Sequence, residues 1–318
     1  MVIVGVLLAV ILSLAGMAVD LGAVYAERRE LRNGADAAAL AVAEDCGMRA
    51  GPCDEASARA TAQEYLDANA HDEASALEGV TLTATGPSAG SVRVTARAWD
   101  AAAAAAGVRV PLLSLLGFDR VNVGAAATAI FDHPRSGGGL PLIIDTCEFY
   151  NAGGWESGVT VTLFFHSPSS NDPPPVQCPS NPAHWDFPGG FGWLAPNEGR
   201  CGADVSAGNW APADEGNNVP KDCNQAWLRA NVYDHDILIP MYVDLNRQDK
   251  EYLVAGFSSF HVTGYKLSSG NAYAYPAGFT CGGSPADTCL RGYFTSKAVY
   301  TGDPGGDDYG VVLIQLVD

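Results

Sequence analysis

With 318 residues, 47% of them hydrophobic, the chain is long enough for about two domains beyond any anchor, each with a buried core. The net charge of −18 sits mostly in the second half, where residues 139–318 hold 20 acidic against 8 basic side chains. Such a surface repels phosphate backbones and argues against nucleic acid as a partner, while keeping an exposed protein soluble.

The chain opens on Met1 to Val19, an apolar run without a charge in 19 residues. At about 1.5 Å per residue a helix of this length spans roughly 28 Å, close to the hydrocarbon core of a bilayer. No proline interrupts Met1–Asp45, so the spacing predicts one continuous helix, apolar first and amphipathic afterwards. A retained anchor fits better than a cleaved signal peptide, because the helical pattern runs on and no basic residue precedes the apolar run. Small residues recur every four positions, at Gly5, Ala9 and Ser13 and again at Ala18, Gly22 and Ala26. That spacing lets helix backbones approach closely. Asp20 is the first charge, and a carboxylate at the end of an apolar helix needs a partner. Arg28, Arg29 or Arg32 of a neighbouring helix could supply it, or Asp20 could mark the water boundary. The arginines follow the apolar run, an order that alone would leave the C-terminal side in the cytoplasm; the cysteines outweigh it.

Residues 54–78 read as an amphipathic helix with Asp54 and Glu55 in its first turn. Two alternating segments follow, VTLTATG and SVRVTARAWD, separated by the turn signal PSAG. VPLLSLLG suggests a short apolar helix, and residues 121–131 a third strand. His133 to Gly139, HPRSGGG, is the best linker composition in the chain. Strands are expected over 140–145, 159–166, 236–245, 253–267, 291–301 and 309–318, with a long Gly/Pro/Trp-rich stretch at 167–235. The whole reads as α+β. A stalk helix over 1–45 carries a small α+β domain at 46–132, and a linker at 133–139 leads to an acidic β-rich domain at 140–318.

The eight cysteines are Cys46, Cys53, Cys147, Cys178, Cys201, Cys223, Cys281 and Cys289. Their even number and the lack of any C-x-x-C pair fit disulfides in an oxidising compartment rather than zinc. Short separations suggest Cys46 with Cys53 and Cys281 with Cys289, leaving the middle four to pair among themselves. No G-x-S-x-G, H-E-x-x-H, Walker or Rossmann pattern is present, so the sequence offers no catalytic residues and no cofactor. Asp234-His235-Asp236 is the nearest approach to a charged cluster around a base, and it lacks a nucleophile. The loop 302–310, GDPGGDDYG, offers a weak calcium candidate through Asp303, Asp307 and Asp308. Asp244, Asn246 and Gln248 begin like a calcium loop, but Asp249 stands where a glycine is required.

The string Ala18-Val19-Asp20-Leu21-Gly22, Tyr25, Arg28-Arg29-Glu30-Leu31-Arg32-Asn33 and Ala35-Asp36-Ala37-Ala38-Ala39 resembles the N-terminal motif of TadE/TadG-like proteins of the Flp/Tad pilus system. The resemblance covers roughly the first 45 residues well and continues more loosely to about 131. GGFGWL at 189–194 and AGFSSFHVTGY at 255–265 look like the C-terminal part of long members. The resemblance implies a cell-surface or extracellular role in pilus assembly or as a pilin-like subunit, without enzymatic activity. Such a subunit would sit in a membrane before assembly, then form a filament with copies of itself and other pilus components through its helix. Gly5 stands where type IV pilins carry a glutamate. The alternatives are a membrane-anchored minor pilin or assembly factor, and a surface adhesin that binds carbohydrate through tryptophans of 167–235.

Overall fold

The computed structural model describes residues 2–49, 52–70, 75–86, 88–100, 103–166, 173–214, 219–268, 272–283 and 287–317, with side chains between Val2 and Ser13 described only for Ile3, Leu7 and Ile11. The chain divides into two compact units, Met1–Phe131 with Ile314–Asp318, and Asp132–Leu313. The last strand, Val311–Val317, runs across that division.

In the first unit α1 is a single helix, Val2–Gly47, followed by α2, Glu55–Asn69. Asp54 caps α2, its carboxylate accepting the Ser57 N–H at 2.8 Å, so Asp54 precedes the first turn instead of lying in it. The Cys46–Cys53 disulfide closes the turn between the helices. Ala35, Ala38, Ala39, Val42 and Ala43 of α1 are buried, as are Ala58, Ala62 and Leu66 of α2. Small side chains at helical spacing allow the close approach: a Cβ on Gly34 would lie 3.2 Å from the Leu66 side chain. Both helices pack on an antiparallel sheet built from β1, Ser75–Gly86, and β2, Ala89–Asp100, with the strand Gly124–Asp132 beside β2. Val92, Val94, Ala96 and Ala98 alternate inward along β2, as the two-residue period of a strand requires.

Two expectations change here. The helix read over 54–78 ends at Asn69, and Ser75–Glu78 begins β1; residues 71–74 lie outside the described ones. Pairing of Ser75, Ala76 and Leu77 with Ala98, Arg97 and Ala96 outweighs the helix propensity of this segment. VPLLSLLG forms only a 3-10 turn, Leu113–Leu116, closed by Gly117 at φ +89°.

In the second unit a mixed sheet runs in the order Phe191–Trp193, Leu142–Asp145, Asp236–Asn246, Glu251–Lys266, Cys289–Thr295 and Val161–Phe164. Its centre is the hairpin Asp236–Asn246 with Glu251–Lys266. The side chain of Asn246 shapes its turn by accepting the N–H groups of Gln248 and Asp249. Leu142–Asp145 pairs parallel with Asp236–Asn246, and the other partners are antiparallel. The core is aromatic: Phe191, Trp193, Tyr252, Phe257, Phe260, Tyr265, Phe294 and Tyr309 are almost fully buried. Two short helices, α3 at Thr146–Asn151 and α4 at Gln225–Asn231, flank the sheet.

The linker expected at 133–139 is structured. Ser136–Gly139 is a strand paired with Ala203–Ser206, and His133 is buried with Nδ1 2.9 Å from the Val311 carbonyl oxygen. The glycines serve packing instead of flexibility, since a Cβ on Gly138 would collide with the Asp204 carboxylate and one on Gly139 with the Leu238 carbonyl. The stretch 167–235 is held by Cys147–Cys178 and Cys201–Cys223, so the middle four cysteines pair among themselves; Cys281–Cys289 is the fourth bridge.

Candidate functional site

The features of α1 are set by which of its faces the first unit covers. On one face Gly16 and Asp20, four residues apart, meet the loop that leads into the 3-10 turn. A Cβ on Gly16 would lie 3.1 Å from the Leu112 side chain, so glycine is what lets that loop close down. Asp20 is 3% exposed, and its Oδ2 accepts the backbone N–H of Leu112 at 2.8 Å and of Leu113 at 2.6 Å. Leu112 supplies no side-chain cap to this turn, so Asp20 acts as its cap from 92 residues away. Within the chain, then, Asp20 already has partners, a pair of backbone donors. Arg28, Arg29 and Arg32 are exposed.

The other face of α1 carries Ile3, Leu7, Ile11, Leu14, Leu21 and Tyr25, each between 55% and 75% exposed. Their spacing keeps them on one stripe of a 3.6-residue helix. Exposed Ala18, Gly22 and Ala26 continue this surface, and nothing lies within 4 Å of a Cβ built on Gly22. The surroundings of Gly5, Ala9 and Ser13 lie outside what is described. Among the described residues no helix is long and apolar enough to cross a membrane.

In the second unit, two clefts adjoin the strand Ala203–Ser206. The first, of about 420 Å³, has one wall at Arg200–Asp204 and another formed by Trp227 and Asn231, an i, i+4 pair on α4; Asp236 and Lys297 complete its polar lining. Cys201–Cys223 ties the two walls together. The second, of about 300 Å³, is lined by Trp210, Asn197, Asn209 and Ser206, and shares Ala203 and Asp204 with the first. Asp204 pairs with Arg200 and accepts from Asn197 Nδ2 at 2.6 Å.

The charged run at 234–236 also resolves. The imidazole between the two aspartates belongs to His261, with Nδ1 2.9 Å from Asp236 and Nε2 3.4 Å from Asp234, stacked on Tyr293. His235 instead contacts the Tyr233 carbonyl. Folding 236–246 back on 251–266 about residues 247–250 sets Asp236 opposite His261, so the hairpin register was the signal that could have found it.

Sequence reasoning also missed a buried acidic group. Asp145 is fully buried as the cap of α3, accepting from Cys147 N–H at 3.0 Å and Phe187 N–H at 2.8 Å. Burial pushes its carboxyl up to about 7 despite those two donors, and burial next to Asp186 brings Glu148 up to about 7 as well. Around the calcium candidates, Asp303 accepts from the Ser136 hydroxyl and Asp308 from the Gly310 N–H. Among the described residues no three acidic, histidine or cysteine side chains converge as a metal site.

Residues 1–45 match the family model described as putative Flp pilus-assembly TadE/G-like. No curated protein and no solved structure gives a significant match. The matched segment is α1, the element that holds both the Asp20 contact and the apolar stripe. With the four disulfides, it points to involvement in Tad pilus assembly at the cell surface or outside the cell.

Proposed function

On the premise that residues 1–45 are a TadE/G-like pilus-assembly segment, we propose that the chain is a structural, non-enzymatic pilin-like subunit. It polymerises through α1, with its acidic β-rich unit outside. The observation that carries this reading is the stripe from Ile3 to Tyr25. Six large apolar side chains lie open to solvent on a helix whose opposite face is held by its own unit. Contiguous apolar patches of this kind mark interaction surfaces, and each square ångström buried contributes about 25 cal/mol. Exposed Ala18, Gly22 and Ala26 allow a neighbouring helix to come close.

The same stripe supports a second reading, a membrane-anchored minor pilin or assembly factor in which lipid covers the apolar residues. Electron microscopy of filaments sheared from producing cells, with mass spectrometry of their protein, separates the two. The subunit reading expects this chain as the dominant filament protein. Its retention in the membrane fraction, with filaments made of another protein, would overturn it in favour of the accessory role.

A further inference from the structure

We infer that the paired clefts of the second unit form a binding site for a neutral saccharide. Each cleft combines an indole with hydrogen-bonding side chains: Trp227 with Asn231 and Asp236 in the first, Trp210 with Asn197 and Asn209 in the second. Ala203 and Asp204 line both. The C–H face of a pyranose is apolar and stacks on an aromatic ring, while its hydroxyls both donate and accept. A site for it therefore needs an aromatic wall beside mixed donors and acceptors, which amide and carboxylate groups supply.

Charge decides the class of sugar. The chain carries −18, and residues 139–318 contain only 8 basic side chains, yet two of these, Arg200 and Lys297, line the first cleft. They stand against Asp204 and Asp236, so the lining is balanced. A cationic ligand would find two positive groups, and an anionic one two negative groups in an acidic surface.

The lining is also held in place. Lys297 Nζ donates to the Asp236 carbonyl at 2.6 Å, His261 clamps the Asp236 carboxylate, and Cys201–Cys223 fixes the loop against the start of α4. Glycine at 138 and 139 keeps the floor open, because a side chain at either would collide with Asp204 or Leu238. Fixed polar groups around a concave surface of this volume are what small-molecule sites present.

The test applies the purified full chain to an array of defined neutral oligosaccharides (glucans, mannans, galactans), together with sialylated and sulfated glycans. Hits are titrated by intrinsic tryptophan fluorescence. Binding to at least one neutral oligosaccharide is expected, weakened at least tenfold by Trp227→Ala and severalfold by Trp210→Ala. Trp185→Ala, at an exposed indole away from both clefts, should leave it unchanged. Asn231→Ala guards against a folding artefact, since it removes a polar group from the surface of α4 without emptying the core, and should weaken binding with an unaltered thermal transition. Silence toward all neutral glycans, binding confined to charged ones, or binding indifferent to both tryptophan substitutions would overturn the inference. None of these outcomes bears on assembly through α1.

Discussion

In the first unit Ile3, Leu7, Ile11, Leu14, Leu21 and Tyr25 of α1 face solvent, and the described buried side of the helix is mostly alanine. In the second unit most large apolar side chains turn inward, into a core rich in phenylalanine, tyrosine and tryptophan around the main sheet. The covalent reinforcement is likewise uneven, with one short bridge in the first unit and three in the second. An alanine interface gains little from area, because each residue contributes few methyl groups, but it brings helices and sheet into close register. An aromatic core gains much and leaves long loops to be stapled. The difference teaches that hydrophobic content by itself does not say what an apolar residue is for: in one region it stabilises the chain, and in the other it is available to a partner.

The contrast is broken most completely by charging the stripe. Leu14→Asp with Leu21→Asp should abolish assembly, scored by filament counts in electron micrographs. The same charge at Val176→Asp, an equally exposed position of the second unit, should leave counts unchanged. Next in size is the bridge Cys147–Cys178, which closes a sequence separation of 31. Cys147→Ala with Cys178→Ala should cost the second unit about 3–4 kcal/mol in chemical denaturation and leave assembly through α1 intact.

A pH dependence should separate the units further. The Asp145 carboxyl is raised from 3.8 to about 7, so the folded unit keeps a proton that the unfolded chain loses near pH 4. Stability from this group is therefore present at low pH and lost as pH rises from about 4 to about 7, with Glu148 acting in the same sense. The unfolding free energy should fall over that interval, by about 2 kcal/mol from Asp145 alone between pH 5 and 7, and Asp145→Asn should flatten the slope. A midpoint that rises with pH would contradict the burial argument. The smallest effect is expected at Asp20→Ala, which leaves the Leu112 and Leu113 N–H groups without their acceptor. It should destabilise the first unit by about 2 kcal/mol and speed hydrogen exchange at those two amides.

Much of this was legible in the sequence because it rests on local pattern. The uninterrupted run to Asp45, the alternation in VTLTATG and SVRVTARAWD, and the short cysteine separations each carry their own geometry. What escaped depends on distant neighbours. Ser75–Glu78 has helix-forming residues but a waiting strand partner in β2. Gly137 to Gly139 has the composition of a linker, yet it is small because Asp204 and Leu238 press against it. Asp20 was identified as a carboxylate needing company, but nothing local to it points to backbone amides 92 residues away. The His261 clamp was recoverable, since the turn at 247–250 fixes which residues face each other.

The bonds from Asp20 to Leu112 and Leu113 have a mechanical consequence. They fix the azimuth of the α+β body around the axis of α1, so the body cannot swivel about the rod that carries it. From Ala15 toward the N-terminus the helix runs on for roughly 20 Å, with the exposed side chains of Ile3, Leu7, Ile11 and Leu14 at a set angle to that body. Any neighbour that grips the stripe thereby also aims the body, and torque applied at one end of the lever is felt at the other.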